Sequence, residues 1–566
     1  MTLNENATGT LDEIGDKEHA VTSEYRIFGA PGTGKTTNLS RQVTRAVEKY
    51  GVDAVLVTSF SRAAAAELGG RDLPISSNKI GTLHSHCFHA LGAPQIAEAN
   101  VEEWNSENPY QSVTSVKKQW RLDGEDSIEN ASSLMRKAGD SLLQELNRVR
   151  GLMLSPDCWP ANVRDFSRKW SRYEQKRGLF DFCDLIETCL RDFATAPQRP
   201  SVIFADEAQD LNAMQLQLIR NWGNHTEYFI LAGDDDQTIY PFTGASPDAI
   251  LDPDIADDHK IILKQSYRVP RAIHKVANRL IHGVTRRQEK VYLPRPALGS
   301  VHQLNTGTYK SPEYFILATA IKHLEQGKTL MFLASCSYML QPVLRVLRKN
   351  AIPFHNPYRK ANGFWNPLRT GSPLSAANRI LSLLIGHPEY GEGHCAWTHR
   401  QLVLWTDWLN EDGTLRADAK AQLQSFAIHD PVTVERLREL FEPKAFRSFQ
   451  IAHAGGPDAM LQWWRSRVTA DVHSRIQFPA DVAARHGTHA LIDVPQVVVG
   501  TIHSVKGGEA DVVYLFPDMS HTADAQYQRS GQARDSIIRL FYVGATRARE
   551  TLYMCQRDTA MAIAIP

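Results

Sequence analysis

Eleven residues, 27–37, read Ile-Phe-Gly-Ala-Pro-Gly-Thr-Gly-Lys-Thr-Thr and carry the P-loop spacing Gly29-x4-Gly34-Lys35-Thr36. A triphosphate demands many N–H donors at short range, and glycines let the backbone turn tightly enough to supply them. On this reading Gly29, Ala30, Pro31, Gly32, Thr33 and Gly34 wrap the phosphates. Lys35 reaches the β- and γ-phosphates, the Thr36 hydroxyl ligates Mg²⁺, and Thr37 completes the loop. A second chemical group is Asp206-Glu207-Ala208-Gln209-Asp210, carboxylates at the end of the apolar stretch 202–205. Asp206 is expected to hold Mg²⁺ through water and Glu207 to polarise the attacking water. A third is Gly233-Asp234-Asp235-Asp236-Gln237-Thr238-Ile239-Tyr240. Its amide, Gln237, can sense a γ-phosphate. Its three aspartates read either as a cluster suited to Mg²⁺ or as a solvated turn. Phe242 places an aromatic ring a few residues from that amide.

Each group needs an element to hold it. The short apolar strand 25–28 leads into the phosphate loop, and a helix beginning at Thr36 points its N-terminus at the anion. The strand 54–58 runs into Ser59-Phe60-Ser61-Arg62 and the helix-forming 63–68. A ring and hydroxyls at a strand end can stack on a base and bind phosphate, although Phe60 equally suits a plug between helix and sheet. Residues 79–89 hold three histidines and Cys87 without the two separated ligand pairs of a structural zinc site. The better reading is Thr82 as a helix cap followed by polar groups facing a ligand. Residues 94–177 are helical in pattern. At their end 164–177 carry six Lys/Arg against two acids, with Phe166, Trp170 and Tyr173 on one face. That pattern reads as a buried aromatic stripe backed by a solvated basic face, which can also meet phosphates.

A second α/β unit opens near residue 260 and has no phosphate loop of its own. It brings Gln265-Ser266-Tyr267-Arg268, strands at 301–304 and 329–333, and amphipathic helices between them. Residues 371–489 turn helical and tryptophan-rich. Strand character resumes at 496–500, before Thr501-Ile502-His503-Ser504-Val505-Lys506-Gly507-Gly508-Glu509, and the helix at 537–543 ends in Gly544-Ala545-Thr546-Arg547-Ala548-Arg549.

The bulk figures set bounds. A chain of 566 residues suits about three or four domains. Its 63 basic and 63 acidic residues cancel, so any surface for nucleic acid is local. Seven scattered cysteines without a Cys-x-x-Cys pair fit reduced thiols in a cytoplasmic setting. No apolar run approaches the ~20 residues of a membrane span, and residues 1–22 read as a polar, disordered tail.

Taken together, GAPGTGKT, SFSRAAAAEL, GTLHSHCF, DEAQD, GDDDQTIYPFTGA, QSYR, GTIHSVKGGE and FYVGATRA resemble, in order, the motifs of the UvrD/Rep/PcrA group of superfamily 1 DNA helicases. The likeness runs from Gly29 to Arg549. It implies an α/β fold of two RecA-like P-loop NTPase domains with parallel sheets, each carrying a mainly helical inserted subdomain. The first domain would take 23–93 and 178–257 with 94–177 inserted, the second 258–370 and 490–566 with 371–489 inserted. It implies ATP and Mg²⁺ as cofactors, and single-stranded DNA and duplex junctions as partners, with room for a protein partner. The expected activity is 3′→5′ translocation coupled to unwinding; the alternative is an ATP-gated DNA sensor or regulatory subunit that unwinds little. By resemblance, Tyr267 stacks on adenine, and Gln237 and Glu509 contact the phosphate and ribose region. Arg268 and Arg547 act as arginine fingers. Phe60, Thr82, His84, Phe242 and His503 line the strand track, with Arg62 and Tyr240 beside them. Phe242 stands where the family has Trp, Ala63 where Lys is usual, and no Gln-bearing motif precedes the loop.

Overall fold

The computed structural model describes residues 23–60, 69–70, 73–115, 137–358, 365–368, 372, 374–385, 397–424 and 432–565. Arg62, the helix expected at 63–68 and the tail expected at 1–22 lie outside them. Strands β1 (Ser23–Gly29), β2 (Val55–Ser59), β3 (Ile80–Thr82), β4 (Val202–Asp206), β5 (Tyr228–Gly233) and β6 (Lys260–Leu263) form one parallel sheet in the order β3-β2-β4-β5-β1-β6. β2 and β4 are buried along their whole length, as expected of strands covered on both faces. Alternate residues go to opposite cores. Leu56, Ile203 and Leu231 face one, whereas Val55, Val57, Val202, Phe204 and Ile230 face the helix Lys35–Tyr50. Because every strand runs the same way, the phosphate loop, Phe60, Thr82, Asp206 and Asp234 all emerge at one edge, the carboxyl ends where open α/β sheets bind ligands.

The second lobe begins with a parallel two-stranded ribbon, β7 (Gln265–Pro270) and β8 (Leu293–Arg295). Its main sheet is built from β9 (Ser300–Gln303), β10 (Leu330–Ala334), β11 (Phe354–His355), β12 (Val497–Thr501), β13 (Ala510–Leu515) and β14 (Ala548–Met554). All are parallel, in the order β11-β12-β10-β13-β14-β9.

Helical segments interrupt both lobes, and they are anchored differently. The first has its own core, where Trp104, Phe166, Trp170 and Tyr173 pack with Leu146 and Val163. The aromatic stripe is therefore buried. Its basic face is partly neutralised by Lys169–Asp165, Lys176–Glu103 and Lys176–Glu107 pairs. At its root Arg150 bonds Asp181 (2.7 Å), Asp184 (2.6 Å) and Glu187 (2.8 Å). The Glu174 and Glu98 carboxyls lie buried beside this cluster, and one oxygen of each lacks a hydrogen-bond partner. Burial, reinforced by Asp181, pushes Glu174 up to about 10 and Glu98 up to about 8. The second helical segment has no separate core among the described residues: Trp397, Trp405, Phe449 and Trp464 continue into Phe332, Val499 and Tyr514 of the sheet. Among the described residues no helix is long and apolar enough to cross a membrane.

Candidate nucleotide cleft and strand track

The loop after β1 is built as its glycines dictate. Gly32 and Gly34 adopt positive φ (74° and 76°), a region that costs a residue with Cβ about 1–2 kcal/mol. Lys35 folds back so that its Nζ donates to the Gly29 carbonyl at 2.9 Å. A Cβ at Gly29 would lie 2.3 Å from Lys35 Cγ and 2.6 Å from Thr33 Oγ1. Thr36 and Thr37 open the helix, and Ala30 and Pro31 are buried beneath the loop.

The acidic residues form a relay along the sheet edge. Asp206, buried at the end of β4, accepts from the Glu207 amide at 2.9 Å. Glu207 takes a left-handed backbone (φ 54°), which turns its side chain toward Gln209 Nε2 at 2.6 Å. Gln209 Oε1 accepts from the Asp234 amide (3.0 Å), and Asp234 Oδ2 accepts from Gln237 Nε2 (2.7 Å). Gln237 is thereby coupled to the carboxylate group through side chains and the Asp234 and Glu207 amides. The three aspartates match neither reading drawn from sequence. They are fully buried and face cations of the other lobe: Lys290 bonds all three, and Arg287 grips Asp236 at 2.9 and 2.6 Å. A three-Asp run carries no signal for partners more than fifty positions downstream, so a buried cluster was not legible.

The second lobe meets this edge with cations. Ser266 Oγ donates to the Pro31 carbonyl and the Tyr267 amide to the Gly32 carbonyl, both at 2.8 Å, laying β7 directly over the phosphate loop. Arg268 pairs with Glu509 at 2.6 Å, and Arg549 reaches the same carboxylate at 3.4 Å. Tyr267 is 63% exposed, so its ring is available at the cleft mouth. Arg547 is 1% exposed and bonds only neutral oxygens: Val543 O (2.9 Å), Gly508 O (3.2 Å) and Gln237 Oε1 (3.1 Å). Burial, with Arg268 close by, pulls its guanidinium down to about 9. Lys506, to which the sequence assigned no role, bonds Asp210 and the Gln237 carbonyl and lies 3.8 Å from Glu207. Its presence in a Ser-Val-Lys-Gly run gave no clue to those partners. Arg287 and Lys290 were equally hidden, because their partners Asp236 and Asp235 lie 51 and 55 positions away.

Four of the rings expected at the strand track meet across the lobes. Tyr240 stacks on Phe60 (centroids 5.8 Å apart), meets Phe242 edge-on (5.9 Å) and bonds the His503 carbonyl (3.2 Å). Phe242 contacts the His503 ring at 5.7 Å and is 45% exposed. Lys506 lies 5.0 Å over the Tyr240 ring, so one ammonium touches both the aromatic group and the carboxylates. Thr82 pairs in register with Ser59, next to Phe60; its hydroxyl caps the next helix through the Ser85 amide (3.2 Å), and the His84 ring meets Phe182 edge-on at 5.9 Å. His86 is tied to the Val57 carbonyl (3.1 Å) and Cys87 is buried, which uses both in packing.

Residues 13–255 match the UvrD/REP helicase N-terminal domain and residues 480–558 the UvrD-like helicase C-terminal domain. The chain is 22% identical over 608 residues to the ATP-dependent DNA helicase PcrA of Staphylococcus aureus (strain Mu50 / ATCC 700699), across 95% of this chain and 82% of that protein. Its likeness to the PcrA of Staphylococcus epidermidis is also 22%, over 607 residues, 94% of this chain and 81% of the relative. A putative ATP-dependent DNA helicase, YjcD of Bacillus subtilis (strain 168), is 25% identical over 266 residues, 43% of this chain and 34% of its own length.

Proposed function

The chain belongs to the UvrD/REP helicases, and from that membership we propose that it is an ATP-dependent DNA helicase that moves 3′→5′ along single-stranded DNA. The observation that carries the nucleotide half of this reading is Arg547. A buried guanidinium whose hydrogen bonds go to neutral oxygens, with the Glu207 and Glu509 carboxylates acting on it through charge alone, gains a directly bonded anion from a γ-phosphate seated in the loop at Lys35. Thr36 and Asp206 are hard oxygen donors suited to Mg²⁺, whose charge offsets that of the β- and γ-phosphates.

The roles follow from position. The loop amides and Lys35 bind the phosphates, Glu207 orients and deprotonates the attacking water, and Arg547 offsets the charge that builds on the transferred phosphoryl group. Arg268, held by Glu509, is the second finger, and Tyr267 stacks on the base. Phosphate favours the closed cleft through differential contacts, and hydrolysis relaxes it. Phe60, Tyr240, Phe242 and His503 grip successive bases without reading their identity, with Thr82, His84 and Arg62 along the same path. Alternate gripping by the two lobes converts closure into steps.

Strand displacement on 3′-tailed and 5′-tailed duplexes tests the reading. Unwinding of the 3′-tailed substrate alone supports it, unwinding of the 5′-tailed one reverses the direction, and ATP turnover without displacement makes the protein a DNA sensor instead. Lys35→Ala and Glu207→Gln are expected to cut DNA-stimulated hydrolysis by about 10²–10⁴-fold with the fold intact. Full turnover by the Glu207 variant would remove that residue from the mechanism.

A further inference from the structure

Residues 234–240 leave β5 of the first sheet, yet their side chains are held by the second lobe. Ile239, 1% exposed, sits in the apolar cluster of Val269, Ile502, Val505 and Phe541. Lys290 Nζ reaches Asp234 (3.2 Å), Asp236 (3.0 Å) and Asp235. Arg287 is bidentate on Asp236, and the Gln288 amide donates to Asp235 at 2.9 Å. The segment that supplies these cations is itself fastened to the helix Gln532–Ala545. Thr285 bonds Asp535 through its amide (3.1 Å) and hydroxyl (2.6 Å), and Arg539 donates to the Arg286 carbonyl at 2.6 Å. Against this, the side-chain ties back to the first lobe are Gln209 to the Asp234 amide and the stacking of Tyr240 on Phe60.

We propose that residues 235–240 move as part of the second lobe, with Arg287 and Lys290 as positioning residues that set Gln237 against Arg547. Four fully buried charges, Asp234, Asp235, Asp236 and Lys290, with the partly exposed Arg287 bonded to Asp236, resist separation, since parting Lys290 from the aspartates strands them without water. The weaker joints lie at the ends of the segment: Gly233–Asp234 on one side, and on the other Gly244, whose φ is 89°. Gln237 then travels with the finger it contacts, and what changes on closure is its distance from the loop at Lys35. The inference deepens the proposed ATP-driven motor and rests on that reading.

Arg287 provides the test, because it is partly exposed and its charge partner is Asp236, which is assigned neither to the phosphates nor to the strand track. In the full chain, Arg287→Gln is expected to lower DNA-stimulated kcat about tenfold while the KM for ATP stays within about twofold. Arg287→Lys, which keeps one charged contact, is expected to return to within about threefold of the parent. Hydrogen exchange read by mass spectrometry should show amides 235–240 protected together with the helix Gln532–Ala545, and exposed by Arg287→Gln while the helix Lys35–Tyr50 stays protected. The proposal is overturned if a folded Arg287→Gln keeps parental kcat, if kcat and KM deteriorate equally without rescue by lysine, or if amides 235–240 exchange with β4 and β5. Should the parent show no DNA-stimulated turnover, the motor reading fails, and the exchange arm still decides which lobe owns the segment.

Discussion

The two lobes are near copies as sheets and opposites as surfaces. Each is six parallel strands, but the edge of the first presents Asp206, Glu207, Asp210 and Asp234 to Asp236, whereas the second presents Arg268, Arg287, Lys290, Lys506 and Arg547. Where β1 leads into a glycine loop, β10 leads into Ser335-Cys336 and a short helical turn, Ser337–Leu340. A chain with 63 basic and 63 acidic residues has thus sorted its charge across one cleft. The difference teaches that topology is shared while charge is divided: one lobe carries the glycine loop and the carboxylates, and the other faces them with cations.

Variants on each side can break that division. The largest effect is expected from Arg547→Ala, a loss of about 10³-fold or more in DNA-stimulated kcat, read by steady-state ATP hydrolysis. A variant that keeps its rate would place the second lobe outside the reaction. Next, Phe242→Ala is expected to weaken single-strand binding by about 1–3 kcal/mol, measured by fluorescence anisotropy, with nucleotide affinity unchanged. A smaller effect sharpens the comparison by acting away from the cleft. A carboxyl whose folded pKa lies above its unfolded value of 4.5 stabilises the fold below that value and loses the contribution as pH rises towards the folded value, here about 10 for Glu174. Glu174→Gln is therefore expected to raise stability at pH 7 by about 1–3 kcal/mol, seen by chemical denaturation, with little change in kcat. Smallest of all is a null slope. Burial holds His503 down at about 4, so its ring stays neutral between pH 6 and 8, and its contribution to single-strand affinity should be flat across that range.

What could be read from the sequence was whatever local spacing encodes. The loop at Gly29 to Thr36, the strand before Asp206, the Thr82 cap and the aromatic stripe at Phe166, Trp170 and Tyr173 all depend on neighbours a few positions away. What could not be read depends on partners far along the chain. Lys290 answers Asp235 across 55 positions and Lys506 answers Asp210 across 296, and no periodicity records such pairs. The aspartate run shows the limit most plainly, since its burial is decided entirely by the opposite lobe.

Gly32 lies at the seam of the division. A Cβ there would sit 2.4 Å from the Arg268 Cβ and 3.0 Å from both the Arg268 amide nitrogen and the Ser266 hydroxyl. This glycine is therefore required by the roof as well as by the turn: a methyl group at that point would act as a doorstop, wedging β7 off the loop before any phosphate arrived. The roof also makes the site a covered berth. Lifting it means breaking the two hydrogen bonds that Ser266 and Tyr267 make to Pro31 and Gly32, so on the proposed reading the dwell time of spent nucleotide would be tied to how firmly that lid is latched.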